Sequence, residues 1–352
     1  MILSTPEELR LYLPTHVLDN IDNVRGGLDN SENDFLRERV GAPLLARLST
    51  QYATDYIVDG NPDLEAIDRD ILNPPTKPWP MLIALCQRCI VYDAFGRLAD
   101  IQPVSVHDAG INVVETKGYD NAPDKTLANY KAQLIRESHA AVNRLLIQLE
   151  EWQAADAKRD QQQQLSEDEQ SIHEIIDLWK QSSYYYYVDG MLFNTATDFG
   201  RFVNIYDSRE KFIQLVPDIR YCQETHIEAE IGEDLLADLI AKRKADNLNP
   251  EEAKAFAKLQ RVLSLQVEAR SSLFKRPAAA DEAQGQLHLV LDRMRRNQTQ
   301  FNKEAVQTSP IFDPKMWEPN QQPTTNPLPS RPHTCECDHH KHDGGMLISS
   351  II

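Results

Sequence analysis

The chain is poor in the residues that punctuate an all-β design. It has 13 glycines and 7% aromatic residues in 352 positions, which favours helix over a sandwich or barrel built on frequent tight turns. Cysteine is scarce too: five residues with no paired framework do not make a disulfide scaffold and fit a reducing compartment. Basic residues are outnumbered, and the net charge of −17 argues against a broad nucleic-acid footprint, because phosphate binding needs a basic surface. No long uncharged apolar run occurs. The nearest candidate, Met81 to Ala99, is interrupted by Arg88, Asp93 and Arg97, which argues against a membrane span. Met1-Ile2-Leu3 runs straight into Ser4-Thr5-Pro6-Glu7, a helix start rather than a secretory leader. No G-x-S-x-G, phosphate loop, dinucleotide fingerprint or H-E-x-x-H is present, so no enzyme class is indicated.

What the chain does have is helical periodicity. Met81 to Tyr92 is apolar on nearly every side, the mark of a helix held between packing partners. Val104, Val106, Ile111 and Val113 alternate around His107-Asp108-Ala109-Gly110, predicting a short β-hairpin over 104–114. Pro123 then opens a long amphipathic helix with Leu127, Tyr130, Leu134, Ala141, Leu145, Leu149 and Trp152 at three- and four-residue spacing. Thirty residues make a rod of about 45 Å, longer than one small core needs, so a partner along it is expected.

Before this stretch, Ser4 or Thr5 caps a helix that Pro14 ends, and a second helix covers about Asn33 to Leu48, kinked near Gly41-Ala42-Pro43. After it, Ala154 to Glu169 is charged and glutamine-rich and fits either a continued helix or a linker. Ser166-x-x-Glu169 is a capping box for another helix. Tyr184 to Val188 and Met191 to Phe193 flank Asp189-Gly190, which predicts a second hairpin. The tyrosine run also fits a stacking platform or contact patch.

The region after residue 200 reads as a degenerate copy of the first. Ile2 through Pro14 lines up with Ile205 through Pro217, each a cap and an amphipathic turn pair stopped by proline. Leu36 to Leu48 lines up with Ile227 to Leu239, including Gly41 against Gly232. Phe256 to Leu273 corresponds to the helix at Met81, with Gln260-Arg261 against Gln87-Arg88, and Gln286 to Val306 to the long helix. The expected fold is therefore mainly α: a helical unit with a hairpin over 1–152, a linker, helix and tyrosine-rich hairpin over 153–199, a second helical unit over 200–306, and a proline-rich arm over 307–352. That arm prefers an extended form and ends in the apolar Met346-Leu347-Ile348 and Ile351-Ile352, a tip suited to docking on a neighbour by adding a strand.

The sharpest chemical signal is in the arm. Cys335, Cys337, His339 and His342, with His333 and His340 close by, are the residue types that hold zinc in a tetrahedron. The spacing lacks the usual distant second pair, so one loop would have to wrap the ion or several chains would have to share it. Without metal it is a polar tail. Cys86-x-x-Cys89 spells a redox motif but lies inside a helix, away from the N-terminal dipole that lowers a thiol pKa, and reads as core. His107-Asp108 has no third group to complete an acid–base site, and His139, on the long helix, reads as a surface or packing histidine. The clusters Lys242-Arg243-Lys244 and Arg293/Arg295/Arg296 read as solvated helix faces.

The succession of a leucine- and alanine-rich helix over Leu82 to Ala99, a hairpin through Val104 to Val113 and a long helix from Ala122-Pro123 resembles the head-to-tail connector, or head-completion, proteins of tailed bacteriophages. More narrowly it resembles a group of them from phages and prophages of gut Bacteroides relatives. The likeness covers about residues 1 to 152 and, more weakly, 200 to 306, and rests on order and shape rather than signature residues. It implies a structural virion protein without catalytic residues. Such a helical subunit forms a homo-oligomeric ring, commonly of twelve, at the head–tail interface. The ring bridges portal protein and tail, and genomic DNA passes through it without sequence-specific binding. An acidic surface suits such a channel wall, and heterologous contacts that close suit a ring. The alternative expectation is a cytoplasmic helical scaffold or adaptor whose tail binds zinc. The chain is about twice the usual length for the phage family, and its second unit and arm are departures from it.

Overall fold

The structure, a computed structural model, describes residues 1–13, 21–73, 76–101, 104–107, 110–113, 124–157, 165–182, 185–187 and 190–313. It is mainly helical, with small two-stranded antiparallel sheets. Helix α1 (Pro6–Tyr12) starts at Thr5, whose hydroxyl accepts from the Glu8 N–H while the Glu8 carboxylate reaches back, a full capping box. Helix α2 (Arg25–Asn30) passes through a wide π-turn (Ser31–Leu36) into α3 (Arg37–Val40). The chain then breaks at Gly41, at φ 85° and ψ 157°, and restarts as α4 (Ala42–Tyr56). The anticipated kinked helix is thus two helices meeting at a corner in a backbone region open only to glycine.

A minimal hairpin, β1 (Ile57–Val58) with β2 (Asn61–Pro62), leads through α5 (Leu64–Ile67) to α6 (Pro78–Ile101). Helix α6 buries Leu82, Ile83, Cys86, Cys89, Ile90, Val91 and Ala94, packed mainly between α2 with its π-turn and the long helix that follows. The expected hairpin forms: β3 (Val104–His107) pairs with β4 (Gly110–Val113), Val104 opposite Val113 and His107 opposite Gly110. The long helix α7 (Asp124–Ala157) has 34 residues, about 51 Å. It buries Leu134, Ala141, Val142, Leu145, Leu146 and Leu149. Pro123 and residues 158–164 lie outside the described residues, so the helix reaches at least Ala157. The predicted capping box at Ser166 opens α8 (Glu167–Lys180).

The expected tyrosine-rich hairpin is not seen among the described residues, and Tyr184, Val188 and Asp189 lie outside them. Residues 185–187 and 190–193 make no strand. Tyr185 and Tyr186 instead pack edge-on against the buried Trp179 ring, at 4.9 and 5.7 Å, and Tyr186 continues onto Phe212 at 6.1 Å. A run that looks β-prone is spent on core contacts. Tyr186 is buried and is no stacking platform.

After a short α9 (Ala196–Gly200), α10 (Arg209–Cys222) enters a second π-turn (Gln223–Glu228), α11 (Ala229–Ile231), a break at Gly232 (φ 86°, ψ 149°) and α12 (Glu233–Lys244). The helix hairpin α13 (Pro250–Arg270) and α14 (Ala279–Arg296) follows, then α15 (Lys303–Thr308). Two sequence expectations are corrected here. Pro217 does not stop α10; it sits inside the helix with its ring exposed, while Leu215 and Ile219, buried on either side, hold the helix together. The counterpart of the long helix is not continuous to Val306, because α14 ends at Arg296 and a 3-10 turn separates it from α15. One hydrophobic core runs through both halves.

Candidate functional site

The residues proposed from sequence as metal ligands, Cys335, Cys337, His339 and His342, lie outside the described residues, as does the rest of the arm from 314. Among the described residues no group of three His, Cys, Asp or Glu side chains is placed to hold a metal. Cys86 and Cys89 are fully buried in α6. Burial pushes the Cys89 thiol up to about 12 and Cys86 well above its usual value, the behaviour of core cysteines rather than a redox pair. The basic clusters are largely spent on local pairs: Lys242 binds Asp238 and Glu252, Arg293 binds Glu251, and Arg295 donates to the Ile311 carbonyl.

What sequence reasoning missed is a pair of matching polar clamps. In the first half, the Glu32 carboxylate accepts from the Ile2 N–H at 2.9 Å and the Gln87 amide donates to the Ile2 carbonyl at 2.7 Å. In the second, the Gln223 side-chain oxygen accepts from the Leu192 N–H at 2.8 Å and the Gln260 amide donates to the Leu192 carbonyl at 2.8 Å. Both clamped segments run into a threonine cap, Thr5 on α1 and Thr195 on α9. Ile2 therefore matches Leu192, not Ile205 as the sequence alignment had it. The two corner glycines match as expected, and each is closed by a serine. A Cβ on Gly41 would lie 2.4 Å from Ser182, and one on Gly232 would lie 3.4 Å from the Ser309 Cα, with the Ser309 hydroxyl on the Ile231 carbonyl at 2.5 Å. These contacts join positions far apart in sequence, so periodicity cannot reveal them. The only prior signal was Gln87-Arg88 recurring as Gln260-Arg261.

The halves are joined by a buried ionic knot. Arg209, at the start of α10, sends Nε and Nη2 to Glu150 of α7 at 3.2 and 3.1 Å, Nη2 to Thr197 at 2.8 Å and Nη1 to the Asp207 carbonyl at 2.8 Å. Its backbone N–H donates to Asn143 of α7 at 2.9 Å, and the Tyr186 hydroxyl donates to Glu150 at 2.7 Å. Burial raises the Glu150 carboxyl above its ordinary value against the pull of Tyr186 and Arg209. Beside the knot, Glu210 takes His139 of α7 at 2.5 Å and Arg39 of α3 at 3.1 Å. His139, read from sequence as a surface or packing histidine, is a contact of the joint. Two consecutive residues before α10, Tyr206 and Asp207, hold φ of 59° and 53°, a conformation disfavoured for both. The Asp207 carboxylate meets the Arg209 guanidinium at 2.7 Å. The Glu150 carboxylate and the Arg209 guanidinium of the knot are both hydrogen-bonded and buried. The knot can hold α7 against α10, but it offers no free acid, base or nucleophile.

Comparison with protein-family models, with curated proteins and with solved structures gives no match.

The remaining feature is surface. From Lys125 to Gln133, α7 buries no side chain. Tyr130 and Ile135 stand exposed. Thr126, Asn129, Tyr130, Ala132, Gln133 and Arg136 line an open concavity of about 700 Å³. No helix among the described residues is long and apolar enough to cross a membrane.

Proposed function

We propose that this chain is a structural subunit of a tailed-phage virion, a head-to-tail connector that associates with copies of itself in a ring between portal and tail and lines the DNA channel. The observation that carries the reading is α7. It is anchored at one end by the Arg209–Glu150 knot and bare of core contacts over its first turns, and follows in the chain a β-hairpin formed by Val104–His107 and Gly110–Val113. A rigid rod with an unburied, part-aromatic face is a natural contact element between neighbours. The duplicated helical unit belongs to the same proposal. Matching clamps, caps and corner glycines support descent of both halves from one unit, with the second docked on the first.

The test is mass by light scattering with negative-stain imaging, on the full chain and on a version ending at Asp313, which keeps the packed Ser309 and Ile311. Closed rings of the full chain are the expected result, weakened if the arm exchanges between neighbours. Monomers in both, with and without a portal protein as template, would overturn it. The Cys335, Cys337, His339 and His342 run favours a second reading, a scaffold whose tail binds zinc. Equilibrium dialysis against zinc, with Cys335→Ser as the control, separates the two.

A further inference from the structure

The surface carries two unsatisfied patches of opposite sign. The first is on α7. Lys125, Arg136 and Arg144 lie on one side of the rod at helical spacing, are exposed, and make no ion pair among the described residues. Tyr130, 45% exposed, lines the α7 concavity together with Arg136. The second is the corner of the second half, where the π-turn, α11 and α12 meet. Glu224, Glu228, Glu230, Glu233 and Asp234 crowd this corner, and none has an ion pair among the described residues. Mutual repulsion is visible in Glu228, whose carboxyl is raised by partial burial and then by Glu233 and Glu224.

The matching corner of the first half shows what this place in the fold does. Position for position about the glycine, Arg37 and Arg39 stand where Glu228 and Glu230 stand. Arg39 reaches across to Glu210 of the other half. The corner is thus already a contact between the two halves of the chain, with positive charge on it. Its second version has the charge reversed: Ser309 and Pro310 close it over Gly232, while its carboxylates make no ion pair among the described residues. A helix face bearing Lys125, Arg136 and Arg144 exists on the same molecule.

We infer that the acidic corner of one copy docks on the basic, tyrosine-bearing face of α7 in the next copy, head to tail. This rests on the self-association proposed above and names its two surfaces. Different patches on the two partners make the contact heterologous, the type that closes a ring or runs on as a filament. Single exposed ion pairs contribute little, but several facing charges around a tyrosine give orientation, a fast salt-sensitive encounter and an anchor. The charge reversal between the two corners also keeps the second half from repeating the contact that Arg39 makes with Glu210.

The experiment is a charge swap in the full chain, read by sedimentation at low salt, about one Debye length of 30 Å, and again at high salt. The acid-side variant is Glu230→Lys with Glu233→Lys; the base-side variant is Lys125→Glu with Arg136→Glu. All four positions are exposed, and circular dichroism checks that both variants fold. The expected result is wild-type association that weakens with salt, at least a tenfold weaker association for each variant alone, roughly one decade being 1.4 kcal/mol, and recovery when the two variants are mixed. A wild-type oligomer that neither swap disturbs would overturn the assignment of surfaces while leaving ring assembly standing. A chain that stays monomeric at low salt overturns both. Weakening without recovery on mixing means each patch meets something other than its counterpart, and also ends the proposal.

Discussion

The two halves of this molecule solve one packing problem with different chemistry. Each clamps an extended segment with two side chains, caps the next helix with threonine and turns a corner on a glycine. The first half does this with a charged, crowded interior. Glu8 is fully buried and accepts from the Ser4 and Thr5 N–H groups, the Tyr52 hydroxyl and the Gln87 amide. Glu32 faces the Met1 ammonium at 3.3 Å. The second half carries less buried charge at the same places: Gln223 replaces Glu32 and donates to the Gly190 carbonyl at 2.8 Å, and Asp198, two-thirds buried where Glu8 is fully buried, pairs outward with Arg201. A carboxylate stands where an ammonium must be met, and an amide where a peptide carbonyl must be met. Geometry of the unit is held constant while charge is adapted to context.

The sharpest way to break this comparison is at the joint, which has no counterpart within either half. Arg209→Met removes the cation from a buried knot and leaves Glu150 uncompensated, so a loss of about 3–5 kcal/mol is expected, measured by denaturant titration. Arg39→Ala, which removes a pair with Glu210 whose side chains are 20% and 22% exposed, should cost less, about 1–2 kcal/mol. Equal losses from the two would mean that the knot is not the joint.

Next in size are the corners. Both glycines hold a φ that an L side chain resists, but their surroundings differ: a Cβ would strike Ser182 at 2.4 Å from Gly41, and Pro310 Cδ at 3.0 Å from Gly232. Gly41→Ala should cost about 3–4 kcal/mol and Gly232→Ala about 1–3 kcal/mol, the backbone penalty alone. The clamps come below these. Gln87 is fully buried and serves both Ile2 and Glu8, so Gln87→Ala should cost about 2–3 kcal/mol. Gln260→Ala loses one part-buried bond to Leu192 and should cost about 1 kcal/mol. A reversed order at either pair would show that the halves do not bear load as their contacts indicate.

How much of this was legible beforehand follows from what kind of contact is involved. Helices α6 and α7 and the β3–β4 hairpin are local periodicities, and the sequence shows them. Gly41 and Gly232 are visible as matched letters, though not as corners, because φ is not written in composition. Pro217 misled: a proline in a helical pattern normally ends it, and the alignment of Ile2 with Ile205 leaned on that stop. Leu215 and Ile219, both buried, outweigh the lost N–H. The tyrosine run misled for a similar reason. Propensity favoured strands, but Trp179, Phe212 and the Glu150 carboxylate claim those rings. The joint was invisible, since Arg209 and Glu150 carry no pattern until the chain is folded. The charge patches were visible only as individual letters; α7 and the corner gather them.

The smallest effect sharpens the comparison most finely. With Gln87 and Gln260 in register, Cys86 and Cys89 fall where the second half has Leu259 and Val262, all four fully buried. If the halves share a core, Cys89 is a small apolar group in a valine-sized site. Cys89→Val should then shift stability by less than about 1.5 kcal/mol in either direction, as near-isosteric core exchanges do. The same burial governs reactivity. A thiol pushed up to about 12, as Cys89 is, or to about 11, as Cys222 is, holds almost no thiolate at neutral pH. Alkylation followed by mass spectrometry should leave both, with Cys86, unmodified in the folded protein near pH 8 and modify all three on unfolding. Labelling of Cys86 or Cys89 in the native state would show that α6 opens, and that the first half is the looser of the two despite its denser network of bonds.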